Sequence, residues 1–307
     1  MIYDIVVINI TRACNASCSL CCLSCNPTRT EMLEDEIIEK VIIRLKDYRQ
    51  VKCISVTGGE PMLYPEKVMK IADLVEKSNK EFVIFTNGYW CNSDDETLNI
   101  LMQLKKKGLT KILTSVDTFH QKFVSIENVS RLVRICRSLG INVNIHSSII
   151  NSNLFKTDML LQQLGQNKLG ANIAQSPVIP IGRASTLPPD EIIRQIRPCN
   201  IHCSFDRMCR VNWDGDVYPC CSQVEIKQLI LGNIYKDDIV SIINNVRKSL
   251  FLVLILKYGL NKLAYLAESL GILKLKEYYA DSCEVCRQIF ANEEVINELM
   301  LIAERVL

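Results

Sequence analysis

Three cysteines near the N-terminus, Cys14, Cys18 and Cys21, stand in a Cys-x3-Cys-x2-Cys arrangement directly after an apolar run from Ile5 to Ile10. A zinc ribbon takes four ligands as two pairs, and no second pair lies nearby in the chain. Three closely set thiolates suit a four-iron cluster that keeps one iron free for a non-protein ligand. The bland reading of such a group is thiols buried in a core. A second group lies far away: Cys199, Cys203, Cys209, Cys220, Cys221, Cys283 and Cys286. Two full clusters need eight thiolates, more than this region holds, so one auxiliary cluster is the economical expectation. Cys203, Cys209, Cys220, Cys283 and Cys286 are its candidate ligands, with Cys199 in reserve, and a structural zinc on some of them is the alternative.

The chain has 15 cysteines in 307 residues and begins MIYDIVVINI, with no basic n-region and no cleavage site. A cytoplasmic location is therefore expected, and cysteine usage of this kind in a reducing compartment points to metal or redox chemistry rather than disulfides. A formal charge of +2 gives no broad basic field, so nucleic acid is not indicated as a partner. Lys105-Lys106-Lys107 reads as the solvated end of a helix. The most apolar segment, Leu250 to Leu256, is bounded by lysines and far too short to span a bilayer, so no membrane role is expected.

The elements that must position these thiols follow from periodicity. Strand patterns at Ile5 to Ile10, Val51 to Thr57, Phe82 to Thr86, Lys111 to Val116, Ile141 to Ile149 and Ala171 to Val178 alternate with helix patterns. The helices read as Glu34 to Tyr48, Pro65 to Ser78, Asp94 to Lys107, Glu127 to Leu139 and Asn153 to Leu164. Such alternation predicts parallel βαβ units. About six units by residue 180 fall short of an eightfold barrel, so an open, partial one is expected, with ligands at the C-terminal strand ends. From about residue 186 the pattern changes to a hairpin with Asp214-Gly215 at its turn, a mostly helical stretch from Ile239 to Leu270, and Cys283-x2-Cys286 ahead of a final helix. Domains at 1–185 and 186–307 are the resulting expectation. Cys53 and Cys136 fall in apolar strand and helix patterns and are expected in the core.

Gly58-Gly59-Glu60-Pro61 ends the second strand, so it and the Cys14 loop reach the same barrel mouth. With these two motifs, residues 3–183 resemble the radical S-adenosylmethionine (radical SAM) superfamily. The resemblance implies a partial (β/α)6 barrel and a [4Fe–4S] cluster on Cys14, Cys18 and Cys21 whose open iron binds SAM. It also implies that the Gly-Gly-Glu-Pro stretch meets the SAM amino group. Two glycines let backbone approach a ligand closely, and a carboxylate partners an ammonium. Asn87, Ser115, Asp117 and His146, at further strand ends, are candidate ribose or adenine contacts, although an Asn-Gly after a strand is often just a turn and His146 equally suits a core role. Arg183 in Gly182-Arg183-Ala184 resembles a residue that pairs with the SAM carboxylate. Leu20 departs from the family, which often has an aromatic residue beside the third cysteine. The later cysteines resemble the SPASM-type extension of peptide-modifying members, which carries auxiliary clusters.

Cys220-Cys221 adds a further expectation. Neighbouring side chains of an extended segment point to opposite faces, so the two do not easily ligate one cluster. If Cys220 faces the auxiliary cluster, Cys221 projects the other way. A free thiol there suits hydrogen-atom donation to a carbon radical; a spare buried thiol is the bland reading. With this pair, the chain resembles the radical SAM peptide epimerases of epipeptide biosynthesis. The resemblance runs through Cys14-Asn15-Ala16-Ser17-Cys18, Asn87-Gly88-Tyr89-Trp90, Asp117-Thr118-Phe119-His120, Pro219-Cys220-Cys221-Ser222 and Cys283-x2-Cys286. It implies L-to-D conversion in a ribosomally synthesised precursor peptide, with Cys221 as hydrogen donor and flavodoxin or ferredoxin as electron source. Asp117 and His120 are candidate contacts to SAM or peptide. A SPASM-type maturase forming a thioether or carbon–carbon crosslink is the alternative within enzymes, and a zinc or iron–sulfur scaffold the alternative outside them.

Overall fold

The computed structural model describes residues 3–168, 170–203, 207–220, 222 and 225–306, apart from the side chains of residues 247 and 302–306. Cys221, the expected hydrogen donor, lies outside the described residues.

Six parallel strands form the first part of the sheet: β1 (Ile5–Thr11), β2 (Cys53–Gly58), β3 (Glu81–Phe85), β4 (Leu109–Ser115), β5 (Asn142–Ile149) and β6 (Asn172–Pro177). Helices α1 (Asp35–Lys46), α2 (Pro65–Lys77), α3 (Asp94–Lys106), α4 (Ile126–Ser138) and α5 (Leu154–Gln163) connect them. The expected open, partial barrel is present. Side chains alternate across each strand. Val6, Ile8 and Ile10 of β1, with Ile54, Val56, Phe82 and Ile84, bury against Ile38, Ile42, Val68 and Ile71 of the first two helices. The opposite face carries Asn9, Ser55, Ser115 and His146, and so lines the concave side of the barrel. Local signals set the helix starts: Ser93 and Ser125 cap α3 and α4 by accepting from the amides of Glu96 and Asn128. Lys107, expected to be solvated, instead reaches back to Asp73 of α2. Cys53 and Cys136 are core residues, as their patterns predict.

The sheet does not stop at β1. Its order is β6-β5-β4-β3-β2-β1-β7-β8-β9, with β7 (Met208–Val211) parallel to β1, and β8 (Asp216–Tyr218) and β9 (Gly232–Asn233) antiparallel. The register pairs Val6 with Cys209 and Val7 with Arg210. Cys209 therefore shares the helix-facing side, while Arg210 shares the concave side, and both are fully buried. The turn holds Asp214 and Gly215 as expected, with Gly215 at φ +83°. Beyond it lie α6 (Ile239–Asn244), α7 (Leu250–Tyr258), α8 (Leu260–Ser269), α9 (Ser282–Phe290) and α10 (Glu293–Val306). Cys283 and Cys286 sit within α9, one turn apart on one face, and precede the final helix α10 as expected. No single helix among the described residues is long and apolar enough to cross a membrane. Helices α7 and α8 would reach that length only together, and they are bent by 99°.

Candidate active site

The Cys14 loop is held by backbone. Gly59 and Glu60 donate their amides to the carbonyls of Thr11 and Ala13 at 2.8 and 2.9 Å. A Cβ on Gly58, at φ +139°, would stand 2.2 Å from the Thr11 oxygen, and one on Gly59 would stand 2.0 Å from the Ala13 oxygen. The two glycines thus admit the start of the Cys loop, where the sequence suggested a ligand. Gly182 does the same from the sixth crossover: its Cβ would meet the Cys22 oxygen at 2.2 Å. Arg183 then grips the loop directly, donating from Nε to the Cys18 carbonyl at 2.9 Å and from a terminal nitrogen to the Cys25 carbonyl at 2.6 Å. Both bonds satisfy orphan carbonyls of a tight loop. Arg12 works from the other end: it donates to the Leu23 carbonyl at 3.0 Å, pairs with Glu31 and stacks 5.2 Å from the ring centre of Trp213.

The three thiols lie in a small apolar cluster with Ala16, Phe119 and Trp213. Burial pushes Cys14 and Cys18 up to about 12, and the nearby Cys21 charge adds to both. Cys21 is drawn down, chiefly by a hydrogen bond from the Cys25 side chain. The Cys14 sulfur accepts from the Ala16 amide at 3.4 Å and the Cys21 sulfur from the Cys25 amide at 3.3 Å. Amide donors aimed at sulfur, three mutually interacting thiols and a dry apolar wall are what thiolate ligands of a cluster require. Among the described residues no three Cys, His, Asp or Glu side chains converge on a single metal ion. A [4Fe–4S] cluster takes each thiolate on a different iron and needs no such convergence.

Around the loop, the strand ends form a braced polar rim. Glu60 is wholly buried. It accepts from the Met62 amide at 2.9 Å, the Thr86 hydroxyl at 2.8 Å and the Asn87 amide at 2.7 Å. Desolvation raises it to about 7 against those donors. It ties the end of β2 to the end of β3. Asn87 reaches the loop itself, donating to Asn15 at 2.8 Å with the Cys14 sulfur 3.9 Å away. Asp117 is likewise buried. It accepts from the amides of Phe119, His120 and Ser148 at 2.9, 3.0 and 3.1 Å, and both its oxygens stand 2.9 Å from Nδ1 of His120. Desolvation opposes the charge on each, but their mutual attraction prevails, lowering Asp117 and raising His120. With Asp117 occupied, His120 is the member of that turn left facing the mouth, near enough to Cys21 and Glu60 to feel both charges. Ser115 and His146 are register partners on the concave face, and His146 Nε2 lies 2.7 Å from Ser176 Oγ. His146 is exposed on this face, and the partial desolvation by its neighbours draws its pKa down.

The C-terminal cysteines sort into members and bystanders. Cys203, Cys220 and Cys283 all act electrostatically on Cys286, which burial already pushes well above its ordinary value. Cys283 also feels Cys220 and hydrogen-bonds Ser222. These four thiols come from a loop, the hairpin's exit and α9. Cys209 stands apart from them. Strand alternation turns it to the helix side, where its neighbours are apolar residues and Tyr48. Cys199 is exposed, with its thiol toward Asn200. Glu284 pins α9: it accepts from Arg194 at 3.1 Å, Lys276 at 2.6 Å and the Ala280 amide at 2.8 Å.

Arg210 links the two sets. Its guanidinium donates to the Ser222 carbonyl at 2.7 Å, stacks 4.5 Å from the ring centre of Tyr218 and acts electrostatically on Cys22. Sequence reading passed over Arg210, although an arginine inside the apolar run Met208-Cys209-Arg210-Val211 is itself a signal of a buried, partnered charge. Arg12, directly before the Cys loop, carried no comparable signal.

The radical SAM superfamily profile matches residues 8–157, and that of the SPASM iron–sulfur cluster-binding domain matches residues 199–287. YydG of Bacillus subtilis (strain 168), named for peptide biosynthesis, is 24% identical over 304 residues, covering 95% of this chain and 93% of YydG. A GTP 3′,8-cyclase of Chlorobaculum tepidum is 31% identical over 138 residues, 44% of this chain and 40% of that one. Among solved structures, BtrN in complex with AdoMet and 2-DOIA shares the fold at a TM-score of 0.56 and 15% identity, covering 85% of this chain and 90% of BtrN. SuiB of Streptococcus suis bound to precursor peptide SuiA shares it at 0.51 and 16% identity, covering 78% of this chain and 64% of SuiB.

Proposed function

Because the chain belongs to the radical SAM superfamily and carries a SPASM iron–sulfur domain, we propose that it converts L- to D-residues in a ribosomally synthesised peptide. Cys14, Cys18 and Cys21 would hold the [4Fe–4S] cluster that binds SAM, and Cys203, Cys220, Cys283 and Cys286 one auxiliary [4Fe–4S] cluster. When bound, the first cluster and SAM supply a 5′-deoxyadenosyl radical able to take a Cα hydrogen. The chain's own residues do the rest. Arg12, Arg183 and the Gly58-Gly59 pair fix the loop; Asn87, Ser115, His120 and His146 offer polar contacts to SAM and peptide. Cys221 gives its S–H hydrogen to the opposite face of the Cα radical, inverting the centre. The thiyl left behind takes up one electron and one proton, the electron coming from a reduced carrier protein such as flavodoxin or ferredoxin.

The observation that carries this reading is the position of Arg210, in contact with Ser222 on one side and acting on Cys22 on the other. It supports a place for Ser222 within a guanidinium's reach of the Cys loop. A peptide substrate is further supported by the likeness to YydG across almost the whole chain.

Peptide product made in D₂O tests the proposal. Solvent deuterium at Cα without loss of hydrogen is the expected result, whereas a product lighter by two hydrogens overturns it in favour of a crosslink. Cys221→Ala should still form deoxyadenosine but little inverted peptide, and unchanged inversion would remove Cys221 from the reaction.

A further inference from the structure

The open flank of the barrel ends in a strand unlike the other five. β6 stands last in the sheet order, with β5 on one side and no strand on the other. Its residues Asn172, Ile173, Ala174 and Gln175 are exposed, so neither face of the strand is covered. Each earlier parallel strand leads into a helix, whereas the chain leaves Pro177 for a short 3₁₀ turn at Gly182–Thr186. Ile173 therefore lies 41% exposed on the side where its register partner Ile145 is buried.

The ladder with β5 orients the backbone of this edge. The Val178 amide donates to the Ile149 carbonyl at 3.1 Å, so the even-numbered residues turn their amides and carbonyls to β5. Ile173 and Gln175 turn theirs outward, and among the described residues no backbone group pairs with them. Pro177 takes the next outward place, where its missing N–H costs the β5 ladder nothing and an added strand finds no donor. Natural sheet edges are blunted by charge, a bulge or a covering helix. β6 has an unbroken register, no charged residue and no such helix.

The edge also runs into the site. Ser176 meets His146 at 2.7 Å on the concave face, and Val178 packs in the same apolar cluster as Cys14, Cys18 and Phe119. From Ile173 to Val178 the strand covers about 17 Å, at about 3.3 Å per residue. On the other face Gln175 reaches Asp158 of α5 at 2.7 Å, and Phe155, one turn earlier on that helix, is 76% exposed. Removal and return of hydrogen at Cα are reactions of the backbone. A substrate held by its main chain presents Cα at a fixed place whatever its side chain, and a strand edge supplies such a hold. Resting on the reading of the substrate as a peptide, we propose that the edge of β6 binds the precursor peptide as an added strand. The outward amides and carbonyls of Ile173 and Gln175 hold it, and pairing stops at Pro177, where the peptide turns into the mouth.

Two substitutions separate backbone from side chain. Gln175→Pro removes an outward N–H and leaves the β5 ladder intact; Gln175→Ala keeps the N–H and removes the contact with Asp158. The probe is a fluorescein-labelled synthetic copy of the small peptide encoded beside this gene. It is added to full-length, anaerobically reconstituted protein, each variant first matched to wild type in iron content. Anisotropy reads Kd, and hydrogen–deuterium exchange of the wild type reads the segment contacted. Bound peptide should slow exchange across residues 172–176. Kd should rise about tenfold in Gln175→Pro, the size of one hydrogen bond lost, and stay within about twofold in Gln175→Ala. Peptide bound without protection of β6 overturns the proposal, as does wild-type affinity in Gln175→Pro or an equal loss in Gln175→Ala. So does a dimeric protein with β6 already protected before peptide is added, which would make this edge a contact between copies of the chain. If Gln175→Pro fails to fold, the exchange experiment on the wild type decides alone. A wild type whose addition leaves the anisotropy unchanged overturns the peptide reading itself, and that failure is distinct from peptide bound elsewhere.

Discussion

The two thiol sets of this molecule are assembled in opposite ways. Cys14, Cys18 and Cys21 come from eight consecutive residues, and their geometry is fixed by main-chain contacts: glycines that admit the loop at β2 and beyond β6, and arginines that cap its carbonyls. Cys203, Cys220, Cys283 and Cys286 come from three separate segments, brought together by the extension of the sheet past β1 and by side-chain pairing around Glu284. A contiguous loop loses little chain entropy on closing, whereas gathering distant segments costs more and must be offset by long-range packing. The first set is thus a local motif that needs a cradle; the second is a product of the whole fold.

That contrast can be broken by damaging one set while reading both. The largest effect is expected from Gly59→Ala, since the added methyl meets main-chain atoms of Ala13 that have no room to yield. A loss of about 4 kcal/mol is of the size that backbone overpacking reaches in its upper range. Iron analysis should show the N-terminal cluster gone and the auxiliary set still loaded; full loading of both would mean the loop does not need so close an approach. Glu284→Ala reverses the experiment. Removing a largely buried carboxylate from Arg194 and Lys276 should cost on the order of 3 kcal/mol and lower auxiliary iron first, leaving the SAM-responsive EPR signal. Equal loss from both sets would deny their independence.

The smallest effect concerns pH and the Asp117–His120 pair at the mouth. His120 is raised by Asp117, with Cys21 and Glu60 adding to the same shift. Its contribution is fully present below its ordinary 6.5 and is lost as pH rises through the raised folded value. Asp117 is lowered, so its contribution is present above its ordinary 3.8 and is lost as pH falls through the depressed folded value. Urea unfolding of the wild type should therefore show stability declining by about 1 kcal/mol on the alkaline side. His120→Gln should flatten that limb, and an unaltered limb in the variant would assign it to other groups.

Much of the barrel was legible because burial on one face writes a period into the sequence: the first five parallel strands and the helices between them follow the apolar pattern, whereas β6 is largely exposed. The site was legible in part. Cys14, Cys18 and Cys21 with Gly58-Gly59 were marked by spacing alone, but the contacts that Glu60, Arg183 and the glycines make within the chain were not. Each meets the Cys loop or a neighbouring strand end. Residue type tells what a group can bond; it does not tell which of several competing partners lies within reach.

The sequence by itself determined the chemistry on offer: three soft donors at cluster spacing, a second supply of thiols, and Cys221 beside Cys220. Only the tertiary structure decided membership. Cys209 and Arg210 are adjacent in the chain, yet pairing β7 with β1 in one register sends the cysteine to the helices and the arginine to the concave face. A slip of one residue would exchange them. Register is set by long-range pairing between residues about two hundred positions apart, and no local pattern encodes it.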